Sequence, residues 1–230
     1  MFRYRLISFF MHLIRTMLLA RIKVTGLENV PPIGPCVVTT NHMSTVDTPI
    51  LLMAFPIQEW SFFAGEKWKS HLIFGPIMAW LGAIYINRES VDRKSIRLAQ
   101  EALTGGAIFG LAPEGARSKD GKLEKAKGGA AYLAHRAKAP ILPVGIVNSD
   151  VLFQNFKRLR RTEIEVRIGK MYTLPELERR AKGEDLDALT HLIMAKIAAQ
   201  LPEHYHGAYA DSPALQAIKE GEDPWPYCHE

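Results

Sequence analysis

Cysteine is scarce in this chain, with Cys36 and Cys228 the only two. Nothing in their spacing suggests a disulfide framework, and a reducing compartment is the expected home. Long apolar runs are missing as well. No stretch reaches the roughly 18–20 uncharged apolar residues that a membrane-spanning helix needs. The most apolar region, Leu6 to Ala20, is interrupted by His12 and Arg15. Arg15 inside that region, with no small-residue cleavage site after it, also fits a secretory signal poorly. Internal repeats, low-complexity tracts and a Gly-x-Ser-x-Gly elbow are absent too.

What is present is ordinary globular material. The chain has 230 residues, 47% hydrophobic and 23% charged, which excludes a disordered or collagen-like protein and allows one domain with a substantial core. A net charge of +5 and a pI near 9.2 suit nucleic acid, anionic lipid or an acidic substrate without choosing among them.

At about 100° per residue, Arg5, Ser8, His12, Arg15 and Thr16 fall on one narrow stripe of an amino-terminal helix. Apolar residues from Leu6 to Leu18 cover most of the remaining circumference. Such a helix suits the headgroup layer of a membrane, with Arg3, Arg5 and Arg15 near lipid phosphates; the competing reading is a helix docked on the domain's own core. Beyond it, β-branched runs such as Cys36–Thr40, Ala83–Ile86, Ala107–Leu111 and Ile141–Val147 alternate with helical segments such as Gly129–Ala137 and Leu186–Leu201. That alternation predicts an α/β fold: a single domain with a mixed, largely parallel sheet flanked by helices. The expected organisation is an interfacial amphipathic helix and lead-in over residues 1–25, a main domain over 26–201 and an irregular surface tail over 202–230.

Several motifs carry chemistry. Asn41-His42 follows a strand, and Asp47 comes five residues after His42 at a predicted helix start. Catalysts in open α/β sheets favour the carboxyl ends of strands. A strand-to-helix turn can return Asp47 to His42, where it accepts a hydrogen bond from one ring nitrogen and leaves the other as a proton acceptor. Alone, this His-x4-Asp spacing is a weak signal. Gly82 to Arg88 places an arginine past a second strand, and Pro113-Glu114-Gly115-Ala116-Arg117 places a glutamate and an arginine past a third. Two guanidinium groups at one sheet edge suit a phosphate.

In this order and spacing, the segments from Gly26 to Val147 resemble the glycerolipid acyltransferase family that includes 1-acylglycerol-3-phosphate acyltransferases. The resemblance implies transfer of a fatty acyl group from coenzyme A or acyl carrier protein to the sn-2 hydroxyl of lysophosphatidic acid. His42 and Asp47 match the family's catalytic pair, and Arg88, Glu114, Gly115 and Arg117 match its acceptor-phosphate contacts. Pro140 to Val144 match a segment lining the site or its acyl tunnel. No metal and no cofactor beyond the acyl donor is implied, and no nucleic-acid partner. The expected location is the cytoplasmic face of a membrane, held peripherally or monotopically. Asn87, Ala112 and Ala116 depart from the family pattern, and Gly65 stands where a lysine is usual, with Lys67 nearby. These departures leave the acceptor open between lysophosphatidate, glycerol 3-phosphate and a non-phosphate lysolipid. A non-catalytic lipid-binding protein is the reading from another class.

A thioester is already activated, so the work falls on deprotonating an alcohol, for which His42 is the expected general base. Backbone N–H groups around Gly115, or Lys67, are candidate oxyanion donors. A covalent acyl-enzyme on Ser44 or Cys36 is the competing route. The basic cluster Lys157 to Arg161 suits a solvated loop, anionic lipid or acidic acyl carrier protein. His204, His206, Cys228 and His229 fall in the expected tail, where their placement as a metal site would be incidental.

Overall fold

The computed structural model describes residue 16 and residues 20–56, 59–87, 93–177 and 183–229. The expected amino-terminal helix falls, apart from Thr16, outside the described residues, as does Arg88. The centre of the molecule is a seven-stranded sheet in the order β1-β7-β6-β2-β5-β3-β4. Its strands are β1 (Ala20–Thr25), β2 (Cys36–Thr40), β3 (Trp60–Gly65), β4 (Ala83–Ile86), β5 (Ile108–Leu111), β6 (Ile141–Val147) and β7 (Thr162–Ile168). All neighbours pair in parallel except β6 and β7. The sheet is therefore mixed and largely parallel, as the alternation of elements predicts.

Every residue of β2 and β6 is buried. That is why both read as unbroken apolar and β-branched runs rather than alternating ones. Successive side chains point to opposite faces, and each face meets its own helices. Val37, Phe109 and Ile141 pack with α3 (Arg93–Thr104), α4 (Gly129–Ala137), α6 (Glu184–Ala198) and α7 (Pro213–Glu220). Cys36, Val38, Ile108 and Val144 pack on the other face with α1 (Asp47–Ala54), through Ile50, Leu51 and Ala54, and with Leu152 of α5 (Leu152–Lys157). The remaining helix, α2 (Phe74–Trp80), meets the sheet through the Tyr85 hydroxyl, which donates to the Gly75 carbonyl at 2.7 Å, and through Met78.

Because β2, β3, β4, β5 and β6 run the same way, their carboxyl ends form one edge. β7 and β1 begin at that edge, since β7 runs antiparallel to β6 and Ala20 is level with Thr162. This edge positions the site.

The segment after Leu201 corrects the expectation of an irregular surface tail. Residues 203–228 form short 3-10 turns and α7. Tyr205, Tyr209, Ala214, Leu215 and Cys228 belong to the larger core cluster. α7 has a full set of stop and start signals: the Ser212 side chain accepts the Leu215 N–H, Pro213 opens the helix, and Gly221 closes it in the left-handed region. Leu215 is 2% exposed. Leu215→Ala is expected to cost about 2–5 kcal/mol in urea denaturation, as for a core leucine. A surface tail would give within about 0.5 kcal/mol.

Candidate active site

The site begins with Asn41, the first residue past β2 and wholly buried. Its Nδ2 donates to the Ile146 carbonyl at 2.8 Å, and its Oδ1 accepts the Ile146 N–H at 2.8 Å. The side chain thus continues the β2–β6 ladder after the strand's own backbone has turned away. His42 follows at a fixed point on the carboxyl edge.

Asp47 opens α1 and sends its carboxylate back over the turn. Its Oδ2 accepts the N–H groups of Met43 and Ser44, each at 2.8 Å, and pairs with His42 Nδ1 at 2.8 Å. Two backbone donors hold the carboxylate in place, so the imidazole meets a carboxylate that is already oriented. With Nδ1–H donating to Asp47, His42 Nε2 is the nitrogen left to accept a proton. The His42 side chain is 18% exposed and the Asp47 side chain 3%: the acceptor of a proton reaches solvent and its anchor does not.

Glu114 lies just past β5 and is 5% exposed. One carboxylate oxygen accepts the His42 N–H at 2.9 Å, and the other accepts the Glu124 N–H at 3.0 Å. Both oxygens thus accept backbone N–H groups, and Glu114 ties the end of β2 to the loop after β5. Burial pushes its carboxyl up to about 7 from 4.5, against the pull of both N–H donors and of nearby His42.

Gly115 adopts φ 72°, a left-handed turn that glycine enters without steric cost. Its N–H donates to the Ala112 carbonyl at 3.1 Å, so that group is not available to an oxyanion. The next N–H groups, those of Ala116 and Arg117, have no partner among the described contacts. Ser118 N–H then donates to the His42 carbonyl at 2.8 Å, which folds the 115–118 turn against the histidine. Arg117 is exposed.

Lys67 sits on an exposed 3-10 turn after β3, with Nζ 5.8 Å from the centre of the Trp68 ring. It shares the carboxyl edge with His42 but no described contact joins them. Lys127, which belongs to no motif, comes closer to the Pro-Glu-Gly turn. Its side-chain carbons pass 3.6 and 3.9 Å from where a Cβ on Gly115 would stand. Its N–H donates to the Pro113 carbonyl at 2.9 Å.

The loop carrying Glu124 and Lys127 is braced from the carboxyl-terminal segment. Leu123 is 2% exposed; its N–H donates to the Tyr205 carbonyl and its carbonyl accepts the Ala208 N–H. The Tyr209 hydroxyl accepts the Ala126 N–H at 3.2 Å. Neither nucleophile of the competing route is well placed. Ser44 is buried, and burial pushes the fully enclosed Cys36 thiol up to about 12, leaving it protonated at neutral pH. Among the described residues no group of histidine, cysteine, aspartate and glutamate forms a metal site.

A family model described as Acyltransferase matches residues 21–147, a span holding His42, Asp47, Glu114 and Arg117. The chain belongs to the acyltransferase family. Over 168 residues it is 29% identical to a probable 1-acyl-sn-glycerol-3-phosphate acyltransferase of Mycoplasma pneumoniae, covering 70% of this chain and 61% of that protein. It is 31% identical over 147 residues to a mouse 1-acyl-sn-glycerol-3-phosphate acyltransferase alpha, covering 62% of this chain and 50% of the relative. The crystal structure of the 1-acyl-sn-glycerophosphate (LPA) acyltransferase PlsC from Thermotoga maritima superposes with a TM-score of 0.65 at 26% identity. That match covers 76% of this chain and 71% of the other. The chain thus spans about half to three fifths of the length of these two curated relatives.

The raised Glu114 carboxyl gives a pH test. In the folded state it keeps a proton that the unfolded chain releases above about 4.5. Stability therefore falls as pH rises from about 4.5 towards about 7, by on the order of 3 kcal/mol at ~1.4 kcal/mol per pH unit. Glu114→Gln cannot ionise and flattens this slope. It also turns an amide NH2 towards one of the two N–H donors, costing about 1–3 kcal/mol at acidic pH. Urea denaturation across this range reads both effects, and an unaltered slope in the variant would contradict the assignment.

Proposed function

We propose that the protein transfers a fatty acyl group from a thioester, acyl-CoA or acyl carrier protein, to the sn-2 hydroxyl of lysophosphatidic acid. The product is phosphatidic acid, which places the reaction in phospholipid biosynthesis at a membrane surface, on its cytoplasmic face. The observation that carries this reading is the 2.8 Å contact between His42 Nδ1 and Asp47 Oδ2 at an open sheet edge. The likeness to 1-acyl-sn-glycerol-3-phosphate acyltransferases supports the choice of acceptor.

In the proposed mechanism His42 Nε2 removes the proton of the sn-2 hydroxyl as its oxygen attacks the thioester carbonyl. Asp47 keeps the ring in the right tautomer and stabilises the imidazolium that forms. The carbonyl electrons collect on oxygen, and the N–H groups of Ala116 and Arg117 are the donors for that charge. Collapse of the tetrahedral intermediate expels the thiolate, which takes up the proton held by His42. No enzyme nucleophile is needed, in keeping with the enclosed Cys36. The acceptor's phosphate is assigned to the Arg117 guanidinium, assisted by Lys127 and by Arg88.

His42→Ala is expected to lower kcat by about 10²–10⁴-fold with little change in KM for the lysolipid. Arg117→Ala is expected to raise KM for phosphate-bearing acceptors while sparing a neutral lysolipid. Thiol release, measured with acyl-CoA and acyl carrier donors against lysophosphatidate, glycerol 3-phosphate and non-phosphate lysolipids, tests both. Full turnover in His42→Ala would sink the mechanism, and equal loss on neutral and phosphate acceptors would sink the role of Arg117.

A further inference from the structure

Two apolar surfaces stand on the carboxyl edge, on either side of the strand that delivers His42. The first lies past β3. α2 and the turn before it are exposed at nearly every position, with Leu72 at 90%, Ile73 at 62% and Phe74 at 50%. Residues 70–87 contain no Asp, Glu, Lys or Arg, and Lys67, Lys69 and Arg88 flank them.

This turn is held in shape rather than loosely draped. The His71 ring accepts the N–H groups of Ile73 and Phe74 through Nδ1, at 3.3 and 3.2 Å. The same ring packs on Phe74, which also meets Trp68 edge-on. A Cβ on Gly75 would stand 2.7 Å from the Lys69 carbonyl, so only glycine lets the turn close this tightly. Leu72 is left at the tip with almost all of its surface in water.

The second surface lies past β6, on α5 and the turn after it. Phe153 and Phe156 are 42% and 38% exposed, and Leu159 is 82% exposed. Between and beyond them stand Lys157, Arg158, Arg160 and Arg161. Neither 67–88 nor 151–162 contains an acidic residue. Strand order places β6 directly beside β2 and β3 two positions away on the other side.

The geometry points to this edge as a docking face for an anionic lipid bilayer, touched by the Leu72–Trp80 surface on one side of His42 and the Phe153–Arg161 surface on the other. The inference deepens the acyl-transfer reading and rests on it only for the lipid nature of the acceptor. Apolar tips ringed by basic residues, with tryptophans alongside, are what a headgroup layer accommodates. A protein partner would have to match two separated patches of one charge sign, whereas a bilayer matches both at once. Docked in this way, the protein would receive a lysolipid hydroxyl at His42 with the acyl tail still in the membrane.

Full-length protein is mixed with vesicles of phosphatidylcholine, with and without phosphatidylglycerol, and pelleted. The expected result is binding to the anionic vesicles that weakens steeply with salt. Leu72→Asp combined with Leu159→Asp should lower that partitioning at least tenfold, as should Arg158→Glu with Arg160→Glu. Turnover of a short-chain, monomeric lysophosphatidate should be unchanged in both variants. Brominated lipid should quench tryptophan fluorescence, and Trp80→Phe should remove much of the quenching. Wild-type partitioning in the variants, or quenching unaffected by Trp80→Phe, would overturn the docking face and assign the apolar surface to the chain's own amino-terminal segment or to a second copy. Loss of binding in the variants of a protein that acylates no lysolipid would keep the docking face and defeat the acyl-transfer reading. Turnover with binding indifferent to the substitutions would do the reverse.

Discussion

The buried amide of Asn41, paired with both backbone groups of Ile146, is the contact from which the catalytic edge is built outward. Parallel strands normally leave their last residues to fray, because the ladder ends and the connection must climb onto the sheet face. Here a side chain supplies the next rung, inside the core, where losing either bond would leave a buried donor or acceptor without a partner. His42 is the next residue, and its backbone is fixed twice more, by Glu114 at its N–H and by Ser118 at its carbonyl. The imidazole is therefore carried on main chain held at both its N–H and its carbonyl. In the proposed mechanism proton transfer needs that constraint, since a base displaced by an ångström loses much of its effect.

Glu114 and Asp47 are two buried carboxylates with different jobs. Asp47 gathers two N–H donors and the imidazole on one oxygen, and so combines the start of a helix with the orientation of the His42 ring. Glu114 divides its oxygens between two segments far apart in sequence and holds them together. The second segment is itself secured by Tyr205 and Tyr209. Core packing of the carboxyl-terminal helix is thus transmitted to the loop that carries Lys127 and lies beside Arg117. Stability and site geometry are coupled through that loop.

Much of this was legible in the sequence. The strands β4 and β6 and the helix α4 fall where the apolar pattern puts them, because short β-branched runs, fully buried in β6 and half-buried in β4, and an alanine-rich helix leave strong local signals. The His-x4-Asp spacing led to the observed contact, since five residues across a strand-to-helix turn is a local distance. Other features left no local trace. The helix α5 is six residues long, too short for a helical period to show in the sequence. The carboxyl-terminal segment is rich in Gly, Pro, His and Tyr, and its burial depends on a groove that other elements create. Lys127 carries no motif, and its position over Gly115 follows from the path of a long loop.

The sequence by itself determined the chemistry on offer: a histidine with an aspartate one turn away, cations past neighbouring strands, and a sheet whose connections send them all to one edge. These follow from periodicity and short-range geometry, which a chain carries in its order of residues. Only the tertiary structure decided which groups remain available. It committed both oxygens of Glu114 and the N–H of Gly115 to the scaffold, enclosed Cys36, and left Leu72 and Leu159 in water on either side of His42. Burial and hydrogen-bond occupancy are set by partners distant in sequence, so no local pattern could have assigned them.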